Sequence, residues 1–244
     1  YYLSSGKKTL IFEHRSHAYY LLSDKAAEAW CSLCSGNAIT LSELYCLKQL
    51  IDDEIIVLNK RVKDKINNAG YVSDIKIVKS YSVPENFNNE LRHEGYVFDV
   101  HWDITNKCNA KCIHCYNKNA HSGLRNINSV ELSIEEAQRL VDEILYLGVF
   151  RLVLSGGEVL TQSYFLPLCR YIRKHNIQLI IYTNGIAFTE KSLNELASLY
   201  PSTICFSVYG DNCITHDNIT QIKGSYKKVL KALSYFKERN IDTC

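Results

Sequence analysis

Two short apolar runs near the start of the chain flank a polar segment. The runs lie at residues 10–12 and 18–22, and the polar segment between them lies at 13–17. Strand-length apolar runs on either side of a polar turn are typical of a β-hairpin. The pattern therefore predicts an antiparallel strand pair as the first element of the fold.

Apolar residues then recur every three or four positions, which is the period of amphipathic helices. This period predicts helices at residues 25–33, 40–50 and 55–67. Thr40 and Glu43 have the spacing of a capping box and mark the start of the second helix. A further apolar run predicts a strand at 72–78. The elements together predict a small α+β domain over residues 1–79.

Residues 80–96 are polar, contain Pro84 and several asparagines, and predict a linker. Beyond it, segments of strand length alternate with amphipathic segments. Strands are expected at residues 97–105, 151–155, 178–183 and 203–208. Helices are expected at residues 133–147, 164–175, 191–199 and 225–239.

Strands that alternate with helices imply a parallel sheet with right-handed crossovers. The fold class of residues 97–244 is therefore α/β, with about four βα units that form part of a barrel or of an open sheet. Ile241 is expected to begin a fifth strand. A sheet that ended after its fourth strand would expose an apolar edge, so we expect the natural protein to continue beyond Cys244.

Composition excludes some classes of partner. The 244 residues include 28 basic and 26 acidic ones, a net charge of +2, which gives no electrostatic signature of a nucleic-acid or membrane partner. The chain has no apolar run long enough to cross a bilayer and does not open with a secretory signal. Its ten cysteines are therefore expected in the reducing cytoplasm, where thiolates are available to metals.

Three of the cysteines form a cluster. Cys108, Cys112 and Cys115 have the spacing CxxxCxxC and directly follow a predicted strand. Three thiolates can bind three irons of a cubane cluster and leave the fourth iron open to another ligand. The alternative is a zinc site that His114 or His121 completes.

Polar and glycine residues stand at the ends of the next three predicted strands. They are Gly156, Gly157 and Glu158, then Thr183 and Asn184, and then Ser207. Glycines let a backbone approach a ligand closely, and Glu158 supplies a carboxylate for a cationic group. Taken singly, each segment is also typical of an ordinary turn. Ligand sites of parallel α/β folds lie at these strand ends, however, so the residues are expected to form one site.

The cysteine segment resembles the cluster-binding loop of the radical S-adenosylmethionine (SAM) superfamily, including the aromatic residue, His114, before the third cysteine. The resemblance extends over residues 97–244 and implies a radical SAM barrel. It also implies a [4Fe–4S] cluster on the three cysteines and reductive cleavage of SAM to a 5′-deoxyadenosyl radical.

The resemblance further implies that His114 lies at the adenine of SAM and that the Gly156–Glu158 segment meets its amino group. Thr183, Asn184 and Ser207 occupy positions that contact SAM in the family. The stretch that begins with His216 and Asp217 is also similar to a family segment. Relatives often have an arginine where this chain has Thr220.

Residues 1–79 resemble the peptide-recognition element of ribosomal peptide maturases, which is similar to the pyrroloquinoline quinone peptide chaperone. The resemblance rests on the order of the elements and on the run Tyr19-Tyr20-Leu21-Leu22-Ser23-Asp24 before a helix with Trp30. It implies that the leader of a precursor peptide adds a strand to the hairpin at 10–22. The alternative is an unrelated, winged-helix-like accessory domain.

The two resemblances together imply a peptide-modifying enzyme of the SPASM type. Its partners would be a precursor peptide and an electron donor such as flavodoxin or ferredoxin, and auxiliary iron–sulfur clusters would lie beyond Cys244. Two alternatives are a radical SAM enzyme that acts on a protein or small molecule, and a non-catalytic, metal-containing peptide-binding protein.

The remaining cysteines have no assigned chemistry. Cys31 and Cys34 form a CxxC pair that is expected to pack on a helix. Core thiols are expected at Cys46, Cys169 and Cys205, and Cys213 is expected in a loop.

Overall fold

The computed structural model describes residues 2–5, 7–13, 18–58, 60–68, 77–80, 83, 85, 87, 89, 93, 97–117, 131–175 and 177–244. The chain divides into two compact units, Tyr1–Gly95 and Tyr96–Cys244. Among the helices in these described ranges, none has the length and apolar character needed to cross a membrane.

The first unit contains a four-stranded antiparallel sheet with the order β1-β2-β3-β4. Its strands are β1 (Tyr2–Ser5), β2 (Lys8–Glu13), β3 (Ala18–Ser23) and β4 (Ile77–Ser80). The predicted hairpin is confirmed as β2 and β3, in which Leu10 faces Leu21 across the pair. The sequence pattern did not predict β1.

Strand addition to the hairpin is a prediction that the structure contradicts. Strand β2 pairs with β1 on its other side, and β3 pairs with β4. Both hairpin strands therefore already have two neighbours, and a peptide can add only where a strand has a free edge. Among the described strands, the free edges of this sheet belong to β1 and β4.

Four helices complete the described part of the first unit. They are α1 (Lys25–Cys34), α2 (Leu41–Cys46), α3 (Lys48–Asp52) and α4 (Lys60–Asn67). The capping box of Thr40 and Glu43 is present, but the single helix predicted over 40–50 is interrupted at Leu47. Leu47 turns inward and is fully buried beside Leu50 in the core of this unit.

The predicted linker at 80–96 falls mostly outside the described residues. The four that are described in its middle part, Glu85, Phe87, Asn89 and His93, are helical, and Phe87 is fully buried. Residues 72–76 of the strand predicted at 72–78 also lie outside the described residues.

The described residues of the second unit form a parallel sheet of five strands in sequence order, which confirms the α/β class. The strands are β5 (Asp99–Asp103), β6 (Arg151–Ser155), β7 (Gln178–Thr183), β8 (Thr203–Phe206) and β9 (Asp242–Thr243). The helices are α5 (Ile134–Tyr146), α6 (Phe165–Arg173), α7 (Glu190–Ser198), α8 (Cys213–Thr220) and α9 (Ser225–Lys237). The expected fifth strand is present as the short β9, which begins at Asp242, one residue after Ile241.

Alternate residues of these strands pack against the helices and form one continuous hydrophobic core. Leu152 and Leu154 of β6, and Ile181 of β7, are fully buried there with side chains of α5, α6, α7 and α9. We call this the helix face of the sheet. Because side chains alternate along a strand, the residues between these point to the opposite side, which we call the open face.

Two cysteine predictions in this unit are wrong. Cys205 is not a free core thiol, because it is half-buried on β8 and forms a disulfide with Cys244 on the neighbouring strand end. Cys213 lies in the first turn of α8 instead of a loop, because Asn212 accepts a hydrogen bond from the Thr215 amide and caps that helix. Cys169 is a fully buried thiol, as predicted.

In the first unit, Cys31 and Cys46 are half-buried and Cys34 is exposed. The Cys31 and Cys34 pair lies at the end of α1, where the sequence placed it. Cys46 packs at the edge of the core and is not fully enclosed.

Candidate functional site

The three clustered cysteines lie on the loop that follows β5. Helix α8 holds this loop, because the Lys111 amide donates to the Thr220 carbonyl at 3.1 Å and the Ile113 amide donates to the Ile219 carbonyl at 3.0 Å. The shape of the loop is thus fixed by a helix more than 100 residues away in the sequence.

Thr220 has a structural role in this arrangement. Its side chain is almost fully buried, and its hydroxyl lies 2.7 Å from the Ser225 hydroxyl. Thr220 therefore supports the cysteine loop from behind and is not among the residues that line the adjacent cavity.

The cavity has a volume of about 240 Å³ and lies where the loops after β5, β6, β7 and β8 meet. Nine of the ten residues that the sequence identified line it. They are Cys108, Cys112, His114, Cys115, Gly156, Gly157, Thr183, Asn184 and Ser207. The structure thus brings residues that are up to 99 positions apart to one place; the tenth, Glu158, lies behind the wall.

The two glycines let the loop after β6 pack directly on the backbone of the cysteine loop. The Gly157 amide donates to the Thr105 carbonyl at 2.7 Å. A Cβ atom at Gly157 would lie 2.2 Å from the Lys107 carbonyl oxygen, and one at Gly156 would lie 2.3 Å from that of Thr105. Gly156 also has a φ of +134°, which side chains disfavour. Glycine is required at both positions because any side chain would collide with the backbone of the cysteine loop.

Glu158 is 1% exposed and joins the loops after β6 and β7. Its carboxylate accepts hydrogen bonds from the Thr183 hydroxyl at 2.6 Å, the Asn184 amide at 2.7 Å and the Leu160 amide at 3.1 Å. Burial raises the pKa of Glu158, and the three donors oppose that rise. The carboxylate therefore holds Thr183 and Asn184 at the cavity from behind.

Asn184 connects the loop after β7 to the cysteine loop. Its side-chain Nδ2 donates to Asn109 Oδ1 at 2.7 Å and lies 3.8 Å from Cys108 Sγ. The Ala110 amide approaches the same sulfur at 3.5 Å. N–H groups that point at a sulfur stabilise its anionic or metal-bound form.

The charge chemistry of the thiols suits a metal cluster. Burial, first of all, raises the pKa of Cys108 and of Cys112, and the neighbouring thiolates raise the pKa of Cys112 further. Three adjacent thiolates repel one another because they carry the same charge. Bound iron would take the place of the thiol protons and would neutralise the negative charges, so the repulsion would be removed. The donor set therefore fits an iron–sulfur cluster.

Within the described ranges, no group of three or more His, Cys, Asp or Glu side chains is arranged so that it could hold one metal ion. A cubane does not require such convergence, because each of its cysteine ligands binds a different iron. His121, one candidate to complete a zinc site, lies outside the described residues.

An aromatic series borders the cavity on the β8 side. The His114 and Tyr209 rings meet edge to face with centroids 4.6 Å apart, and Tyr209 stacks on His216 at 5.7 Å. His216 Nδ1 accepts a hydrogen bond from the Tyr209 amide at 3.1 Å. Burial lowers the pKa of His216, which keeps the ring neutral and suited to accept this bond.

Sequence reasoning did not assign some residues that line the cavity. They are Tyr116, Asn117, Ser155, Tyr182 and Tyr209. Tyr182 gave a usable signal, because it is a polar aromatic residue near the end of an otherwise apolar strand. Asn117 gave none.

Comparison with known protein families and chains extends this description. The family model described as Radical SAM superfamily matches residues 102–244, which is more than half of the chain. The AdoMet-dependent heme synthase of Methanosarcina barkeri is 28% identical over 139 residues, which cover 57% of this chain and 39% of that protein. The chain thus spans well under two thirds of this relative.

Two further comparisons extend over both units. The antilisterial bacteriocin subtilosin biosynthesis protein AlbA of Bacillus subtilis is 27% identical over 233 residues, 91% of this chain and 49% of that protein. The crystal structure of Streptococcus suis SuiB bound to precursor peptide SuiA matches with a TM-score of 0.56 and 15% identity, over 100% of this chain and 56% of that one. The structural match shows a shared fold.

Proposed function

The chain belongs to the radical SAM superfamily, and from that membership we propose that it modifies a ribosomally synthesised precursor peptide. The family uses a [4Fe–4S] cluster and SAM, and one related structure is of SuiB bound to S-adenosylmethionine. When bound, these cofactors supply an electron and the 5′-deoxyadenosyl radical that removes a hydrogen atom from a substrate.

We assign each cavity residue a task in holding these groups. Cys108, Cys112 and Cys115 bind the cluster. His114 lies beside the adenine of SAM, the glycines of the loop after β6 meet its amino group, and Thr183, Asn184 and Ser207 face its ribose or carboxylate. Glu158 keeps Thr183 and Asn184 in place, and direct contact of its carboxylate with SAM remains a sequence-based prediction.

The observation that carries the peptide proposal is the length of the AlbA match. That alignment includes 91% of the chain, so it extends into the first unit as well as the second. The name of AlbA refers to biosynthesis of a bacteriocin, and the matched SuiB structure contains a precursor peptide. These two names support a peptide substrate for this chain.

We assign leader binding to the first unit, with the leader as an added strand on β1 or β4, since these are the edge strands of the sheet in the part of the unit that the structure describes. Helix α4 buries Ile66 in the core of the unit and carries Lys60 and Lys65 as exposed residues. These lysines would attract acidic residues of a leader. An electron donor such as flavodoxin or ferredoxin would reduce the cluster in the cytoplasm.

A second candidate function is synthesis of a small molecule, because the heme synthase of M. barkeri is also similar. That match covers 57% of the chain, whereas the AlbA match covers 91% of it. A heme-type enzyme would act without a leader peptide, which separates the two candidates by experiment.

The test is anaerobic co-expression with the short peptide encoded beside the gene, followed by mass spectrometry of that peptide. We expect loss of hydrogen from the peptide and formation of 5′-deoxyadenosine from SAM. Substitution of Cys108, Cys112 and Cys115 by alanine should abolish both products and the iron–sulfur absorbance.

The matched control is the triple substitution of Cys31, Cys34 and Cys213 by alanine, which removes the same number of thiols from positions that do not line the cavity. It should retain iron and product. Iron retained at the wild-type level by the first variant would refute the cluster assignment, and an unmodified peptide with intact SAM cleavage would favour the small-molecule candidate.

Leader binding has a separate test. Reversal of charge at Lys60 and Lys65 to glutamate should weaken binding of the precursor peptide at low salt, as measured by fluorescence anisotropy. Reversal at Lys231 and Lys237, exposed on α9 of the second unit, is the control and should leave the affinity unchanged. Equal affinities of the two variants would exclude the helix α4 surface as the leader site.

A further inference from the structure

The open face of the parallel sheet presents polar, solvent-accessible side chains. On β5, Asp99, His101 and Asp103 are exposed, whereas Val100 and Trp102 between them pack against the core on the helix face. Parallel sheets usually bury both faces beneath apolar side chains. The polar side chains on β5 are therefore unusual for a sheet face that serves only as a core.

The strand register makes this face continuous with the cavity. Asp103 pairs with Ser155 of β6 across the parallel ladder. Leu154 pairs with Ile181, which places Tyr182 one position further along, next to Ser155. Ser155 and Tyr182 both line the cavity, so Asp103 stands at its border.

Three side chains of this face form a connected group, which we call the open-face group: His101, Asp103 and Tyr182. His101 Nε2 lies 3.6 Å from Asp103 Oδ1, and the His101 ring meets the Tyr182 ring edge to face with centroids 5.5 Å apart. The side chains of His101 and Asp103 are 53% and 48% exposed, respectively. The group is thus preassembled and open to a ligand.

Asp103 differs from the other carboxylates on the open face. Asp99 forms an ion pair with Arg151 at 3.1 Å, and Asp242 accepts a hydrogen bond from the Thr203 hydroxyl at 3.2 Å. Within the described part of the chain, the nearest ionisable nitrogen to the Asp103 carboxylate is His101 Nε2, which at 3.6 Å is beyond hydrogen-bond length, and the carboxylate charge also raises the pKa of the nearby Tyr116 hydroxyl. The carboxylate can therefore accept hydrogen bonds from a ligand.

We propose that the open-face group is a specificity site that binds a positively charged side chain, lysine or arginine, of the peptide segment that reacts. Asp103 supplies the counter-charge, and the face of the Tyr182 ring accommodates the cation and its aliphatic stem. The proposal rests on the proposed function and names the chemical class of residue that the enzyme holds at its cavity.

Short model peptides test this preference. The probes are N-acetylated, C-amidated pentapeptides of glycine and alanine whose central residue is lysine, norleucine or glutamate. They are titrated by NMR against the anaerobically reconstituted chain with SAM present. We expect the lysine peptide to bind about tenfold more tightly than the norleucine peptide, as a charge-assisted hydrogen bond would require, and the glutamate peptide to bind most weakly.

Three variants on the same strand and face complete the design. Asp103→Asn keeps the shape but removes the charge, and should abolish the preference for lysine over norleucine. Asp99→Asn, about 13 Å away along β5 and outside the open-face group, should retain the full preference. Asp103→Glu keeps the charge but moves it, and should retain part of the preference for lysine. Melting curves of each variant check that the fold is intact.

The proposal is overturned if wild type binds the lysine and norleucine peptides equally or not at all, or if Asp103→Asn keeps the preference. Formation of 5′-deoxyadenosine by wild type is followed in the same samples. SAM cleavage without a charge preference would overturn this inference alone, whereas absence of SAM cleavage by the reconstituted protein would count against the proposed function itself.

Discussion

The side-chain amide of Asn184 donates a hydrogen bond to the side-chain oxygen of Asn109 at 2.7 Å. This bond joins the end of β7 to the cysteine loop, 75 residues earlier in the chain. Because Asn184 Nδ2 also approaches Cys108 Sγ, one side chain both positions the loop and contacts a proposed cluster ligand.

Replacement of Asn184 by alanine should therefore loosen the cysteine loop. We expect faster loss of iron to a chelator from the reconstituted variant, because one N–H donor to Cys108 and the tether to Asn109 are both removed. Iron release is followed by absorbance under anaerobic conditions. Asn194→Ala, on the exposed surface of α7, is the control and should release iron at the wild-type rate.

Glu158→Gln should destabilise the protein even without SAM. The amide can accept through one oxygen only, so at least one of the three donors around Glu158 loses its acceptor, at a cost of about 1–3 kcal/mol. Urea unfolding of the metal-free protein measures the change. Glu143→Gln, exposed on α5, should leave the unfolding free energy unchanged.

An unaltered unfolding free energy for Glu158→Gln, together with weakened SAM binding, would contradict this prediction. It would assign the carboxylate to direct contact with the cofactor, and not to the support of Thr183 and Asn184.

Gly157→Ala should impair the site as well as the fold. Its Cβ would meet the Lys107 carbonyl, so the loops must separate, at a cost of about 1–3 kcal/mol, and the cavity wall must move. Gly36→Ala carries a backbone cost of similar size, because Gly36 has a φ of +73° but no atom near its Cβ position. Both variants should have a lower melting temperature than the wild type, but only Gly157→Ala should lose iron. Equal iron retention would contradict the close packing described here.

Asp217 should make stability depend on acid pH. Its carboxylate accepts bonds from the Tyr226 amide at 2.9 Å, the Gly224 amide and the Ser225 hydroxyl, and these donors, the Tyr226 amide first, lower the pKa of Asp217. A lowered pKa in the folded state means that the stabilisation is complete above the ordinary aspartate value of about 3.9 and is lost as the pH falls below it.

Asp217→Asn should therefore reduce the unfolding free energy at neutral pH and flatten its decline between neutral and strongly acid pH. Urea titrations at a series of pH values measure both effects. Asp211→Asn, at an exposed position before α8, should retain the wild-type slope. An identical pH dependence in Asp217→Asn and wild type would show that this carboxylate does not support the start of α9.

The sequence predicted those elements whose signals are local. A capping box was recognised at Thr40 and is present, because a hydroxyl and a carboxylate three residues apart satisfy the same helix end wherever it lies. Alternating strand and helix periods predicted the parallel sheet, because each period is also a local property of its segment. Helix α8 was missed because its apolar residues have no clear helical period and its start depends on the Asn212 cap.

The sequence also identified which strand ends would carry the site, since the chemistry of three close cysteines and of a glycine pair can be recognised from spacing alone. It did not reveal that Glu158 is buried and does not line the cavity. The direction of that carboxylate depends on donors from Thr183 and Asn184, which reach it only when β6 and β7 pair.

By itself, then, the sequence determined the order of the elements, the α/β class and the nature of the candidate site, because these follow from periodicity and from residue chemistry at short range. Only the tertiary structure decided which sheet edges are free, that Cys205 meets Cys244, and that Asp103 stands near Tyr182 at the border of the cavity. These relationships depend on strand order and register, which are set by the packing of the whole unit and which no local pattern specifies.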